Sequence, residues 1–62
     1  MKRIKLLSHL KKYNCAFDRH GGKHDIFINT ETDQWAAIPR HPDINELTIM
    51  SICKQLGIPK IP

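Results

Sequence analysis

The chain has 62 residues, of which 40% are apolar and 26% charged, and its net charge is +4. A chain of this length forms a single domain (residues 1–62) that buries only about 60% of the surface exposed when unfolded. This size excludes a second domain and a walled pocket for a large cofactor. We therefore expect no cofactor. Ser8 and His9 interrupt the first apolar run before it reaches the length of a signal-peptide core or a membrane span. We therefore expect a cytoplasmic protein with no membrane partner.

The charges divide along the chain into a basic and an acidic half. Residues 1–24 carry seven Lys and Arg against one acid, and residues 25–48 carry five acids against Arg40 alone. A basic surface suits a polyanion such as RNA, although a solvated helix face with a tail would show the same pattern. The candidate phosphate-binding residues are Lys2, Arg3, Lys5, Lys11, Lys12, Arg19 and Lys23.

The first predicted element is a helix over residues 3–13, where Leu7 and Leu10 continue an apolar row that begins at Ile4. Asn14 is a suitable stop, because asparagine tolerates the left-handed conformation. Residues 15–19 alternate weakly between apolar and polar, which indicates a half-buried strand.

A turn is predicted at His20-Gly21-Gly22-Lys23, since paired glycines adopt positive φ without steric cost. Residues 24–29 form the second strand, with His24 on one face and Asp25 on the other. After a turn at 30–33, residues 34–39 form a third strand that Pro39 closes.

The last helix is predicted from the spacing of Asp43 and Glu46, which fits a capping box, and from an apolar row that ends before Gly57. Residues 59–62 form a tail. The order helix, three strands, helix predicts an α+β domain of two layers (α-β-β-β-α). Its three-stranded antiparallel sheet carries both helices on one face and leaves the other face open.

Cys15 and Cys53 do not form a Cys-x-x-Cys motif, and in a reducing compartment they are best interpreted as small buried apolar residues. Cys15 with His20, His24 and His41 forms a conceivable zinc set. Structural zinc sites usually take ligands from close pairs, and no close cysteine pair is present, so we expect no metal.

Three short motifs in a fixed order are similar to those of one family. "GKHDIF" spans residues 22–27, "IPRH" spans 38–41 and "SICKQLGI" spans 51–58. With the helix–sheet–helix order, they resemble the HicA toxins, which are small ribonucleases of bacterial toxin–antitoxin pairs with a fold similar to double-stranded-RNA-binding domains. The resemblance covers roughly residues 3–58. It implies a metal-independent endoribonuclease that cleaves mRNA and a HicB-type antitoxin that covers its active surface.

The same resemblance implies that His24 is the catalytic residue. The family usually has Ser or Thr before this histidine, and here Lys23 replaces it. Local chemistry favours the same residue, because an imidazole exchanges protons near neutral pH. Gly22 lets backbone N–H groups approach a phosphate, and Lys23 adds a positive charge. The alternative is that His24 merely begins a strand after an ordinary turn.

Other residues leave alternatives open. His20 is either a second proton carrier or an exposed loop residue, and His41 either contacts RNA or the antitoxin or is a plain loop residue. Phe27 and Trp35 either stack on bases or pack in the core or against the antitoxin. Two other functions fit the sequence: a non-catalytic RNA-binding module, and a degenerate toxin that only binds its antitoxin.

Overall fold

A computed structural model describes all 62 residues and has the predicted order of elements. Two helices flank three strands in the chain: α1 (Arg3–Lys12), β1 (Cys15–Gly21), β2 (His24–Asn29), β3 (Trp35–Pro39) and α2 (Glu46–Leu56). The sheet order is β1-β2-β3, and both pairs are antiparallel. The predicted α+β class is confirmed. Neither helix is long and apolar enough to cross a membrane.

The pairing register divides the sheet into a helix-covered face and an open face. Phe27 lies opposite Phe17 on β1 and Ala36 on β3, so these side chains share one face. Phe27 packs against the core, which contains Leu6 and Leu10 from α1 and the following residues of α2: Ile49, Ile52, Cys53 and Leu56. Both helices therefore cover the same face. The other face holds Ala16, Arg19, Gly21, His24, Ile26, Ile28, Trp35, Ala37 and Pro39.

A β-bulge at Asp18 changes the alternation of β1. Phe17 pairs with Phe27 and Arg19 pairs with Ile26, which leaves Asp18 as the extra residue. An extra residue reverses the faces of every side chain that follows it. Arg19 consequently lies on the open face, and His20 lies on the helix-covered side.

Four boundaries differ in detail from the predictions, and one is the start of β3, which lies at Trp35 rather than at residue 34. β1 continues to Gly21, so the turn contains only Gly22 and Lys23. Helix α1 ends one residue early, and Asn14 adopts the expected left-handed conformation with φ 63°. The N-cap of α2 is Asn45, whose side chain accepts a hydrogen bond from the N–H of Leu47 at 2.8 Å.

The segments outside the helices and strands also pack. Residues 1–3 bond with residues 42–44 through Arg3 N–H to Pro42 O at 2.8 Å and Ile44 N–H to Met1 O at 2.8 Å. Near the other end, Ile58 and Ile61 pack against the core. The molecule measures 29 × 27 × 16 Å, and its short dimension accommodates one helix layer on one sheet.

Candidate active site

The histidine at position 24 is presented by a two-residue hairpin turn. Gly21 and His24 form the last pair of the β1–β2 ladder, and Gly22 and Lys23 connect them. Gly22 has φ +55°, whereas Lys23 has a negative φ. A glycine with positive φ at the first central position is typical of a type II′ turn, whose twist matches that of the strands. The glycine therefore sets the direction in which the chain enters β2.

The imidazole of His24 lies on the open face of the sheet and is exposed. It makes no hydrogen bond within the chain, whereas the backbone carbonyl of the same residue accepts one from Arg40 at 3.2 Å. Both ring nitrogens are thus available to a ligand. The helices do not seal this ring from solvent, because α1 and α2 pack on the opposite face of the sheet.

Next to the turn, the carboxylate of Asp25 binds three basic side chains. Oδ1 of Asp25 lies 2.8 Å from Nδ1 of His20 and 2.9 Å from Nε of Arg40, and Oδ2 lies 2.9 Å from Nη2 of Arg3. The carboxylate is only 14% exposed. The hydrogen bonds from His20 and then Arg40 lower the pKa of Asp25 below its ordinary value. The carboxyl group of Asp25 is therefore ionised at neutral pH.

The contact with this carboxylate indicates which nitrogen of the His20 ring is the donor. Because the carboxylate oxygen accepts, we assign the proton to Nδ1 of His20. The remaining ring nitrogen, Nε2, makes no hydrogen bond within the chain, and the side chain is 76% exposed. Phe17 packs against the ring in an edge-to-face arrangement, with centroids 5.0 Å apart. His20 is thus an exposed residue with a fixed ring orientation.

The candidate phosphate-binding residues separate into paired and unpaired cations. Lys2 forms an ion pair with Asp43, Arg3 with Asp25, and Arg19 with its neighbour Asp18. Arg3 also donates through Nε to the carbonyl of Pro39 at 2.8 Å. No ion pair involves the other four candidates, which are Lys5, Lys11, Lys12 and Lys23, and all four are exposed.

The two aromatic candidates lie on different faces. Phe27 packs against the core, whereas Trp35 is 57% exposed on the open face, where it pairs with Ile28. His41 is exposed in the loop that precedes α2. Trp35 and His24 therefore share the open surface.

Both cysteines are free and buried, as predicted. Burial raises the pKa of the Cys15 thiol, and the nearby Cys53 and Glu31 add to the effect. Burial likewise raises the pKa of Cys53, against a smaller opposing effect of the Ile61 backbone. Nowhere do three His, Cys, Asp or Glu side chains converge in an arrangement suited to a metal ion.

Sequence reasoning missed the role of Arg40 and Asp25 at this site. Arg40 directly follows β3, and its guanidinium donates to the carbonyls of Gly22 and His24 as well as to Asp25. The available signal was the antiparallel order itself, because the end of β3 must lie beside the start of β2. A charged residue just after Pro39 is consequently close to the turn that carries His24.

Comparison with known proteins adds one finding. Residues 4–58 match the family described as the HicA toxin of bacterial toxin–antitoxin systems. Neither the curated proteins nor the solved structures contain a match. The family match covers well over half of the chain, from the middle of the first turn of α1 to the residue after Gly57. The protein therefore belongs to the HicA family of toxins from bacterial toxin–antitoxin systems.

Proposed function

We propose that the protein is a metal-independent endoribonuclease that cleaves mRNA in the cytoplasm, with His24 as the catalytic residue. The observation that carries the proposal is the family match together with the position of His24. An unpaired, exposed imidazole follows a glycine turn on the sheet face that no helix covers. Such a ring can reach a ribose–phosphate link from solvent without displacing any part of the fold.

The reaction needs proton transfer at two oxygens. A base takes the proton from the attacking 2′-hydroxyl or water, and an acid gives a proton to the oxygen that leaves phosphorus. His24 performs one of these transfers, since an imidazole gains and loses a proton near neutral pH. A positioned group of this kind typically contributes roughly 10²- to 10⁴-fold in rate. The other proton passes to or from solvent.

Binding of the RNA backbone is assigned to the turn and to the unpaired lysines. Gly22 permits close approach of a phosphate to the backbone, and the ammonium group of Lys23 lies next to His24 in the chain. On α1, Lys5, Lys11 and Lys12 provide attraction that is independent of sequence. Lys2, Arg3 and Arg19 contribute less, because acidic residues of the chain already pair with them.

The partner protein is a HicB-type antitoxin that covers the open face. Trp35 supports this assignment, because a large apolar side chain that is 57% exposed on the same sheet face as His24 offers a protein partner buried area. An antitoxin on this face also blocks access of RNA to the imidazole.

The test is incubation of the purified protein with messenger RNA, with and without EDTA, beside the variants His24→Ala and His9→Ala. His9 is the matched control, because its Nε2 bonds the carbonyl of Pro59 at 2.6 Å, far along the chain from the turn. We expect His24→Ala to lose at least about 100-fold in cleavage rate. EDTA and His9→Ala should leave the rate within about twofold, and both variants should remain folded by circular dichroism.

Two other results identify the alternative functions. Protein that shifts RNA on a gel at low salt but never cleaves it is an RNA-binding module. Protein that binds no RNA yet binds the antitoxin tightly is a degenerate toxin. Either result, or full cleavage by His24→Ala, rejects the proposal.

A further inference from the structure

We infer that Arg40, oriented by Asp25, is a positioning residue that fixes the backbone of the turn presenting His24. The inference rests on the proposed function for its kinetic consequence, and on the structure alone for its geometry. Arg40 itself does not lie on the open face with the imidazole. It bonds the carbonyls on either side of Lys23 instead.

The guanidinium of Arg40 makes three hydrogen bonds to one short segment. Nη1 donates to the carbonyl of Gly22 at 3.0 Å, Nη2 donates to the carbonyl of His24 at 3.2 Å, and Nε donates to Oδ1 of Asp25 at 2.9 Å. The guanidinium is planar and rigid. Three bonds to a rigid group fix the relative positions of the two carbonyls and the carboxylate.

Fixed carbonyls determine the orientation of the histidine. Each peptide unit is planar, so a bonded carbonyl at Gly22 orients the plane that joins it to Lys23. A bonded carbonyl at His24 likewise orients the plane that joins it to Asp25. These two planes flank the pair Lys23–His24 and restrict their φ and ψ. The Cα–Cβ bond of His24 then points in one direction, although the imidazole has no partner of its own.

Asp25 holds the guanidinium in place. Its carboxylate is only 14% exposed and also binds Arg3, which is anchored to Pro39 at the end of β3. His20 occupies the same carboxylate oxygen as Arg40. The arginine is thus fixed between β3 and the turn by a carboxylate with three donors. Lysine lacks the planar guanidinium and cannot make the same three bonds.

A direct role of Arg40 in binding a phosphate predicts different behaviour. A phosphate contact depends mainly on charge, so Arg40→Lys would keep most of the affinity, and any loss would appear in KM and depend on salt. A positioning role depends on the planar guanidinium and its three hydrogen bonds, so Arg40→Lys would lower kcat. Misplacement of a reacting group by about 1 Å can cost about 100-fold.

The kinetic experiment compares Arg40→Lys, Arg40→Gln and the control Lys54→Gln, an exposed position of α2 that the proposed site does not include. We expect both Arg40 variants to lose about 10- to 100-fold in kcat, with KM changed by less than about threefold and the melting temperature still well above that of the assay. In a His24→Ala background, Arg40→Lys should cause no further loss. Rescue by lysine, or a loss confined to KM, overturns the inference.

A second readout does not require activity. The ¹⁵N heteronuclear NOE reports backbone motion on the picosecond-to-nanosecond timescale. In Arg40→Lys it should fall at Gly22, Lys23 and His24 and stay unchanged in α2, whereas Lys54→Gln should match the wild type throughout. An unchanged NOE at the turn overturns the positioning role. If the wild type cleaves no RNA, the proposed function fails, and this measurement still decides the role of Arg40.

Discussion

His20 and Asp25 are register partners across β1 and β2, and Nδ1 of the ring lies 2.8 Å from Oδ1 of the carboxylate. The pair exists only because the bulge at Asp18 moves His20 to the face on which Asp25 lies. The same carboxylate binds Arg3 and Arg40, so it joins the start of α1, the hairpin and the end of β3.

Acid should weaken the fold through Asp25. The pKa of this carboxyl is lower in the folded protein, mainly because His20 and Arg40 donate to the ionised form. Its contribution to stability is therefore complete above the unfolded pKa of about 3.9 and is lost as pH falls through the lower folded value. Urea midpoints measured from pH 6 to pH 2 should show Asp25→Asn less stable than wild type at pH 6, with the difference vanishing at the acid end.

The control for this pH series is Asp33→Asn. Asp33 is exposed, makes no ion pair and has φ 63°, a conformation that asparagine tolerates. Its midpoints should follow those of wild type at every pH. A constant difference between Asp25→Asn and wild type across the range would show that the carboxylate charge has no role in stability.

The number, order and faces of the elements follow from periodicity, because the apolar row of α2 and the alternation of 24–29 each match one type of structure. Local features of the site do not follow from periodicity. A bulge adds one residue without a compositional signal, so the pairing of His20 with Asp25 was not predictable. Asp43 and Asn45 are both good capping residues; in the structure Asn45 caps the helix and Asp43 pairs with Lys2. The three bonds of Arg40 depend on tertiary proximity.

Truncation of the core should strongly destabilise the protein. Leu10 is fully buried between α1 and the sheet, and Leu→Ala at such sites costs about 2–5 kcal/mol. A chain of this length has a free energy of unfolding of about 3–9 kcal/mol, so Leu10→Ala should remove a large fraction of it. Leu47→Ala, at a position that is 74% exposed, should change it by less than about 0.5 kcal/mol. Thermal denaturation followed by circular dichroism distinguishes the two, and equal losses would contradict the assigned core.

The end of α2 should require glycine. Gly57 has φ +67°, and an added Cβ would collide with Oε1 of Gln34. The glutamine end can move, so the main cost of Gly57→Ala is the left-handed backbone, about 1–2 kcal/mol. Gly57→Asn should lose less, because asparagine tolerates this conformation. Chemical denaturation measures both. If adding Gln34→Ala restored full stability to Gly57→Ala, the collision rather than the backbone would be the cause.

The thiols should be nearly inert in the folded protein. Cys15 and Cys53 are buried, and burial raises the pKa of both. Since the thiolate is the reactive form, a disulfide reagent such as DTNB at pH 7.5 should react at a rate limited by opening of the fold. Addition of 6 M guanidinium chloride should release two thiols at once. Rapid reaction of either cysteine without denaturant would contradict its burial.

The separation of the two sheet faces has a genetic consequence. Side chains that build the interior project toward the helices, whereas His24 and Trp35 project the other way. Colonies selected for survival while they express this protein should therefore carry two kinds of lesion. One kind yields normal amounts of a harmless protein and maps to the uncovered surface, and the other yields little protein and maps beneath the helices.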